Sequence, residues 1–477
     1  MKNLKVLLLV ICCLLFTDYC LLRAEQSEEE VEALTAFKDA MRSDENINLA
    51  EFALTIASSI YPDINRKDYL TKIDQMADEI KKNLGNAKEP EKIIQAINDY
   101  LYRQKKLTAE SVTKEVIIAN FMLNKVIDFM KGNCLGSSIF YWSLAERLNL
   151  PLQAIVVPQH VFLIYDNGRT SRFIETTARG AELSREDYIK KTRSLIGDTI
   201  PKYNIGDEIK LRRISKQQFI GLILYNRGVY YLKRNKNNDA LTDFNWDLIL
   251  DPDNNEAYKN RGGIYLQQGK SSEARDDFRK VLELQSDAPA NYFNLAQALV
   301  NLNQIDDAMK NYDQALRMAP DYAEVYHNRG LAYSKQKLWD KALDDLEHAI
   351  SLDPKNGHIY YNRGLIYEQM GNPDKAIADY SKSIELNPLY PEGYNNRGIL
   401  YAKQEKWTEA IADFQKSIEL VPNFPDPYQN LAVIYYKTQK YDLSLKYITK
   451  YLELIPAEQS NRKQAEDMLK DLQQRVK

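Results

Sequence analysis

Cysteine is scarce in this chain, and so are glycine, proline and histidine. There are four cysteines, Cys12, Cys13, Cys20 and Cys134, and the first three crowd the N-terminus. There are 18 glycines and 16 prolines in 477 residues, well under the ordinary share of about 12%. That excludes a collagenous chain or a Pro/Gly-rich disordered one, and it favours long uninterrupted helices. No charge of one sign dominates: 64 Lys plus Arg stand against 67 Asp plus Glu, a net charge of −3. A protein that holds nucleic acid by its phosphates carries a basic excess, so no nucleic-acid partner is expected. Length alone suggests about three domain-sized units.

The only long apolar run is Val6–Phe16, eleven residues preceded by Lys2 and Lys5 and followed by Asp18, Arg23 and the small Ala24. It is too short for a comfortable membrane span and reads as a secretory signal peptide over 1–24. The expected location is therefore outside the cytoplasm, periplasmic or extracellular; an uncleaved signal anchor is the alternative, and no other integral span is expected. Three cysteines would leave with the signal. Cys134 would then be a lone thiol in an oxidising compartment, without an internal disulfide partner. Residues 25–48, with the acidic stretch Glu25–Glu30, read as a linker or helix start.

What the chain has in abundance is repetition. An Asn recurs every 34 residues, at Asn226, Asn260, Asn294, Asn328, Asn362, Asn396 and Asn430. A Gly or Ala stands two places after each, and a Tyr three further on in six of the seven copies. Ala or Ser marks a second helix, and Pro closes six units. Small residues let two antiparallel helices approach, aromatics fill the gap between units, and Pro ends the second helix. Period and pattern resemble the tetratricopeptide repeat, over seven units spanning 221–458. Ala465, Met468, Leu469, Leu472 and Val476 then form a helical stripe, so 459–477 is expected to cap the array.

The seven units can be compared with one another. Arg follows the Asn at Arg227, Arg261, Arg329, Arg363 and Arg397, and in those same units Asp stands 16 residues later, at Asp243, Asp277, Asp345, Asp379 and Asp413. The two units with Leu295 and Leu431 instead carry Asn311 and Tyr447. This co-occurrence predicts Arg–Asp pairs joining the helices of a hairpin or of neighbouring hairpins. The Asn ladder could pair with the peptide units of an extended chain, or could satisfy local backbone groups. It resembles the ladder inside the tetratricopeptide superhelix of the eukaryotic O-linked N-acetylglucosamine transferases. That resemblance implies a protein or extended-peptide partner held by all seven Asn residues.

Between linker and repeats, 49–215 changes character. Helical periodicity covers Leu49–Ile60, Tyr69–Leu84, Pro90–Lys105 and Ile117–Met130; Ala154–Val157, Val161–Tyr165 and Ser171–Ile174 read as strands. The order is helices first and then a small sheet, an α+β domain. Gly132-Asn133-Cys134 breaks one helix and opens another, whose stripe is Leu135, Ile139, Trp142, Ala145 and Leu148. A thiol at a helix N-terminus lies where aligned dipoles and free N–H groups stabilise a thiolate. His160 is the only histidine before the repeats. It begins a run ending in Asp166-Asn167-Gly168-Arg169, and Asn-Gly between strands signals a two-residue hairpin turn. Such a turn would set Asp166 opposite Arg169 and His160 opposite Glu175, with Cβ atoms about 5 Å apart. A nucleophile, a base and an orienting carboxylate are the parts of a thiol catalytic site. A metal held by the same three residues is disfavoured, because close ligand pairs such as Cys-x-x-Cys or His-Glu-x-x-His are absent. No cofactor is expected.

Gly132-Asn133-Cys134, Leu148-Asn149-Leu150-Pro151, His160 and Glu175 together resemble the transglutaminase-like superfamily, which has a papain-related fold. Ile60-Tyr61-Pro62-Asp63 and Tyr69-Leu70 extend the likeness to its bacterial SirB-type subgroup, in which such a domain is joined to tetratricopeptide-like repeats. The resemblance covers about 48–190. It implies a papain-like α+β domain followed by an all-α solenoid, with Cys134, His160 and Glu175 catalytic and Glu175 where the superfamily usually has Asp. Peptide or amide hydrolysis, or acyl transfer, on substrates recruited by the repeats is the implied activity. A non-catalytic protein-binding scaffold is the alternative. Cys134 and Gln159 are the candidate oxyanion donors, the first through its backbone N–H.

Overall fold

The computed structural model describes residues 47–109, 118–157, 160–183 and 212–476. The signal segment, the acidic stretch and Gln159 lie outside the described residues. The chain falls into two compact units that divide between Asp287 and Ala288.

The first unit opens with helices α1 (Leu49–Ser58), α2 (Arg66–Leu84) and α3 (Pro90–Asn98), and α3 runs into a π-helical turn over Asp99–Gln104. Strand β1 (Thr108–Ala109) pairs in parallel with β2 (Lys131–Gly132), on either side of a short helix α4 (Leu123–Phe129). The continuous helix expected over Ile117–Met130 is not formed: a 3₁₀ turn at Ile118–Asn120 precedes α4. The reason lies in the next helix, α5 (Cys134–Arg147). A Cβ on Gly136 would stand 2.3 Å from the Asn120 carbonyl oxygen and 2.8 Å from Phe121 Cα, so the break at 120–122 is pressed against the first turn of α5. Asn133 N–H also donates to the Asn120 carbonyl at 2.9 Å.

Strands β3 (Gln153–Val157), β4 (His160–Asp166), β5 (Ser171–Glu175), β6 (Ala181–Leu183) and β7 (Arg212–Ile214) form one antiparallel sheet in the order β6-β5-β4-β3-β7. Five consecutive residues of β4, Val161–Tyr165, are buried, because both faces of this central strand are covered. Val161, Leu163 and Tyr165 join the core that includes Leu135, Ile139 and Trp142 of α5, whereas Phe162 and Ile164 join Ile155, Val157 and Phe173.

Helices α6 (Lys216–Leu232), α7 (Asn237–Leu250), α8 (Asn255–Gln267) and α9 (Ser271–Leu284) complete this unit as two hairpins. Ser215 opens α6 with a capping box to Gln218. The second unit repeats the hairpin five times, from Pro289–Asn301 paired with Ile305–Met318 to Pro425–Lys437 paired with Tyr441–Leu454, and ends on the helix Arg462–Arg475. Ala465 and Leu472 of that last helix are buried, with Met468 and Leu469 packed beside them, whereas Val476 lies just past its end and is exposed.

The Arg–Asp pairs form within single hairpins, all five in the same geometry. In each, Arg Nε donates to Asp Oδ2 at 2.8 Å and Nη2 donates to Oδ1. In three of them the remaining nitrogen, Nη1, continues to the residue 16 places upstream, in the preceding hairpin: Arg261 reaches Asn245 at 2.7 Å, Arg329 reaches Asp313 at 2.6 Å and Arg397 reaches Ser381 at 2.9 Å. These three guanidinia therefore tie their own two helices to a neighbour. Arg227, in the first hairpin, instead reaches the end of α1, at Ser59 and the Ile56 carbonyl. The terminus of α1 takes the place that a preceding repeat would fill. The tyrosines have a matching role: Arg261, Arg329, Arg363 and Arg397 each lie 5.4–5.9 Å from two Tyr rings, one turn before and one turn after on the same helix. Where Leu431 replaces Arg, Tyr447 stacks on Tyr435 at 5.6 Å instead.

Candidate functional site

Asn133 caps α5: its backbone is extended, and its Oδ1 accepts from Gly136 N–H at 2.9 Å. Cys134 is therefore the first helical residue, partly exposed, among N–H groups that have no carbonyl partner inside the helix. The predicted stripe of α5 is buried, and Trp142 packs on Phe219 of α6 with ring centroids 5.1 Å apart. This packing fixes the helix that carries the thiol.

His160 Nε2 lies 2.7 Å from Glu175 Oε2, and Cys134 is near enough to the His160 ring to favour its charged form. With Nε2 turned to the carboxylate, Nδ1 is the nitrogen left for the sulfur. The three residues are thus brought together, but through a different register from the expected one. Asp166 pairs with Ser171 and Leu163 with Ile174, so the strands are offset by two residues and four residues form the loop. The expected two-residue turn needs positive φ at both central positions. Only Gly168 has it, at φ 80, while Asn167 spends its Oδ1 on the N–H groups of Arg169 and Thr170 at 3.0 and 2.8 Å. This side-chain turn lengthens the loop. A slip of two preserves the faces of both strands. Glu175 thus stays on the side of His160, and their pairing is diagonal. A diagonal pair is about 7–8 Å apart at the backbone, a gap the longer Glu side chain spans better than Asp.

Glu175 is 1% exposed on its side chain and His160 14%. Burial opposes the charge of His160, but the neighbouring Cys134 and Glu175 outweigh it and push its pKa from 6.5 up to about 10. Burial likewise opposes the charge of Glu175, and the His160 contact with two donors from Thr177 holds its carboxyl below 4.5. At neutral pH the pair is an imidazolium facing a carboxylate. Among the described residues no group of three or more His, Cys, Asp or Glu is placed to hold a metal ion, and no helix is long and apolar enough to cross a membrane.

The seven Asn residues sit on the first helices of the hairpins. Asn260, Asn362, Asn396 and Asn430 turn their amide nitrogens to the residue 35 places upstream, Tyr225, His327, Tyr361 and Asn395, at 3.2, 2.7, 2.9 and 3.1 Å. Asn226 and Asn328 donate to carbonyls of their own helices, both at 2.8 Å, and Asn294 is half-buried. Six of the seven amides, all but that of Asn294, are thus seen engaged inside the protein.

The transglutaminase-like superfamily pattern matches residues 67–224. Tetratricopeptide patterns match 225–289, 297–337, 323–356, 359–390, 391–424 and 425–458. The chain carries a transglutaminase-like domain followed by tetratricopeptide repeats. No curated protein matches it. Solved structures similar to it include PilF of Pseudomonas aeruginosa, 22% identical over 46% of this chain and 97% of that one, with a TM-score of 0.40. A tetratricopeptide repeat protein from Parabacteroides merdae is 18% identical over 53% and 98%, with a TM-score of 0.42. YrrB, described as a TPR protein with an unusual peptide-binding site, is 25% identical over 38% and 93%, with a TM-score of 0.33. Sequence reasoning missed Thr177, Ser138 and Tyr102 around the transglutaminase-like site. Ser138 of α5 lies 3.0 Å from the Thr176 hydroxyl, and Tyr102 donates to the Thr176 carbonyl at 2.9 Å. A Thr-Thr pair directly after a buried acid was the one available signal.

Proposed function

We propose that the transglutaminase-like domain is a thiol enzyme that hydrolyses or transfers acyl groups of peptide or amide substrates, and that the tetratricopeptide repeats recruit those substrates. The reading rests on one observation: the His160 ring, beside Cys134, is held at 2.7 Å by a buried carboxylate. In the proposed cycle the Cys134 thiolate attacks the acyl carbon, and the carbonyl electron pair moves onto oxygen, near the first-turn N–H groups of α5. The adduct collapses, the C–N bond breaks, and the His160 imidazolium gives its proton to the leaving nitrogen. Water or an amine then attacks the thioester while His160 takes its proton, and the thiolate departs. Water gives hydrolysis and an amine gives transamidation. Glu175 holds the ring and supports its charge through both halves.

The Asn ladder and the surface around it are the proposed seat of an extended polypeptide. Residues 1–24 would export the protein to the periplasm or the extracellular space, and Ile60-Tyr61-Pro62-Asp63 supports placing the domain in the SirB-type subgroup.

The test is the pH dependence of Cys134 alkylation in the wild type and in His160→Ala. The expected result is fast alkylation well below pH 8 in the wild type and a rise of the midpoint in the variant. If both titrate near the free-cysteine value of about 8.5, no thiolate–imidazolium pair exists and the domain is a binding module.

A further inference from the structure

Glu175 closes β5 and at the same time caps the 3₁₀ turn Thr176–Ala178. The two oxygens of its carboxylate face different partners. Oε2 faces His160 at 2.7 Å, and Oε1 accepts both from the Thr177 backbone N–H at 3.1 Å and from the Thr177 hydroxyl at 2.6 Å. A cap needs only the backbone donor. The hydroxyl is a second donor on the same oxygen, and it bears on orientation. The terminal torsion of a Glu side chain is broad, so an untethered carboxylate would swing past the ring. Here the His160–Glu175 pair is diagonal rather than directly opposed, so the carboxylate must be aimed. Pinning Oε1 aims Oε2. A hydroxyl does this without bringing a charge that would compete for the imidazole proton.

The turn that carries Thr177 is itself held. Tyr102, inside the π-helical turn, donates to the Thr176 carbonyl at 2.9 Å, and Asn98 at its start donates to the Gly180 carbonyl at 3.0 Å. The Ser138–Thr176 hydroxyl contact at 3.0 Å links the same turn to the helix that bears Cys134. Interruptions of α-helical geometry of this kind gather at functional sites. This one and the residue before it deliver two side chains to the segment after the acid.

We propose that Thr177 is a positioning residue of the thiol site: its hydroxyl locks one oxygen of Glu175 so that the other is presented to His160. The proposal rests on the thiol-enzyme reading for its catalytic meaning, and its own observable is the imidazole. The chain has four histidines, so a carbon-labelled histidine sample of the full chain gives a small NMR spectrum in which the His160 signal can be assigned by its loss in His160→Ala. Thr177→Val keeps the branched shape and removes the hydroxyl; Thr177→Ser keeps the hydroxyl. The His160 midpoint is expected to fall by about one pH unit in Thr177→Val, since one unit corresponds to a single modest charge-assisted contact, and to return in Thr177→Ser. Thr177→Ala, which removes the hydroxyl with less bulk, is expected to match Thr177→Val and replaces it should Val not fold. The alkaline arm of Cys134 alkylation should shift in parallel. Unchanged His160 midpoints in both Val and Ala variants overturn the proposal, as does an equal fall in Thr177→Ser. The two readings separate cleanly. A wild-type Cys134 that alkylates like a free thiol, with His160 still moving in Thr177→Val, removes the enzyme and leaves Thr177 as the residue that aims Glu175.

Discussion

The repeats and the α+β domain both bury carboxylates against cations, and they divide the oxygens differently. In each Arg–Asp hairpin, one guanidinium takes both oxygens of the Asp. In the domain, Glu175 gives one oxygen to His160 and the other to Thr177. The first arrangement is a closed fork-on-fork clamp whose cation never loses its proton. The second leaves a proton that can move, on a ring that lies near a thiol. A bidentate clamp suits a scaffold and a divided carboxylate suits chemistry. The two are legible as different devices although both are buried ion pairs.

The sharpest break between them is in activity. Cys134→Ala and His160→Ala should each abolish acyl-enzyme formation, measured by mass spectrometry after an acylating electrophile, and the double variant should be no worse, because residues acting as a unit lose activity together. Arg363→Leu, by contrast, should leave acylation of a small substrate unchanged. An intact acyl-enzyme in His160→Ala would reduce the domain's pair to another structural clamp.

Stability gives the second contrast. The side chains of Arg363 and Asp379 are 17% and 8% exposed. Removing the Arg alone strands a buried carboxylate and should cost about 3 kcal/mol in thermal or urea unfolding. Arg363→Leu with Asp379→Asn, copying the unit that has Leu295 and Asn311, should recover most of that loss. Equal and additive losses in the cycle would show that the two residues do not act as a pair.

These clamps were open to reading because seven copies of one unit serve as their own comparison: Arg363 without Asp379 never occurs. The third contact of Arg261, Arg329 and Arg397 is not legible in that comparison, although Asn245, Asp313 and Ser381 all stand two places after an Asp or its counterpart. The domain has no internal copy. Parity along β4 and β5 was enough to put His160 and Glu175 on one face, but the register was off by two because the Asn167 side chain reshaped the loop. The break at 120–122 depends on Gly136, which is distant in sequence. Thr177 lies only two residues past Glu175, but the anchors Asn98 and Tyr102 lie 82 and 74 residues from their partners, beyond any local pattern.

The third contrast is in pH. His160 is raised from 6.5 to about 10, so its contribution to stability is full below pH 6.5 and is lost as pH rises toward 10. Glu175 is lowered from 4.5, so its contribution is present above that value and is lost as pH falls through its folded value. Both are present together between pH 4.5 and 6.5. The stability gap between wild type and Glu175→Gln should be widest there and should narrow steadily toward pH 10. Arg363→Leu should show no such narrowing, because Arg and Asp do not ordinarily titrate between about pH 6 and 10. A gap for Glu175→Gln that is flat across this range would mean that His160 is neutral in the folded protein.

The smallest expected effects fall on the Asn ladder, and they separate holding from binding. Asn362 and Asn396 bond to His327 and Tyr361 of the preceding hairpin, so changing either to Ala should cost about 1 kcal/mol of stability. Asn328 donates to the Glu324 carbonyl of its own helix, where the carbonyl keeps its ordinary helical role, so Asn328→Ala should change stability by only a few tenths of a kcal/mol. A polypeptide lying along the ladder would feel all three losses alike. Partner capture should then weaken by several-fold in Asn328→Ala although its unfolding is unchanged, since about 1 kcal/mol of binding corresponds to roughly five-fold in affinity. If capture instead follows stability, falling in Asn362→Ala and Asn396→Ala and holding in Asn328→Ala, the ladder serves to keep neighbouring hairpins in register, as the Arg–Asp clamps do, and the partner is read by other side chains.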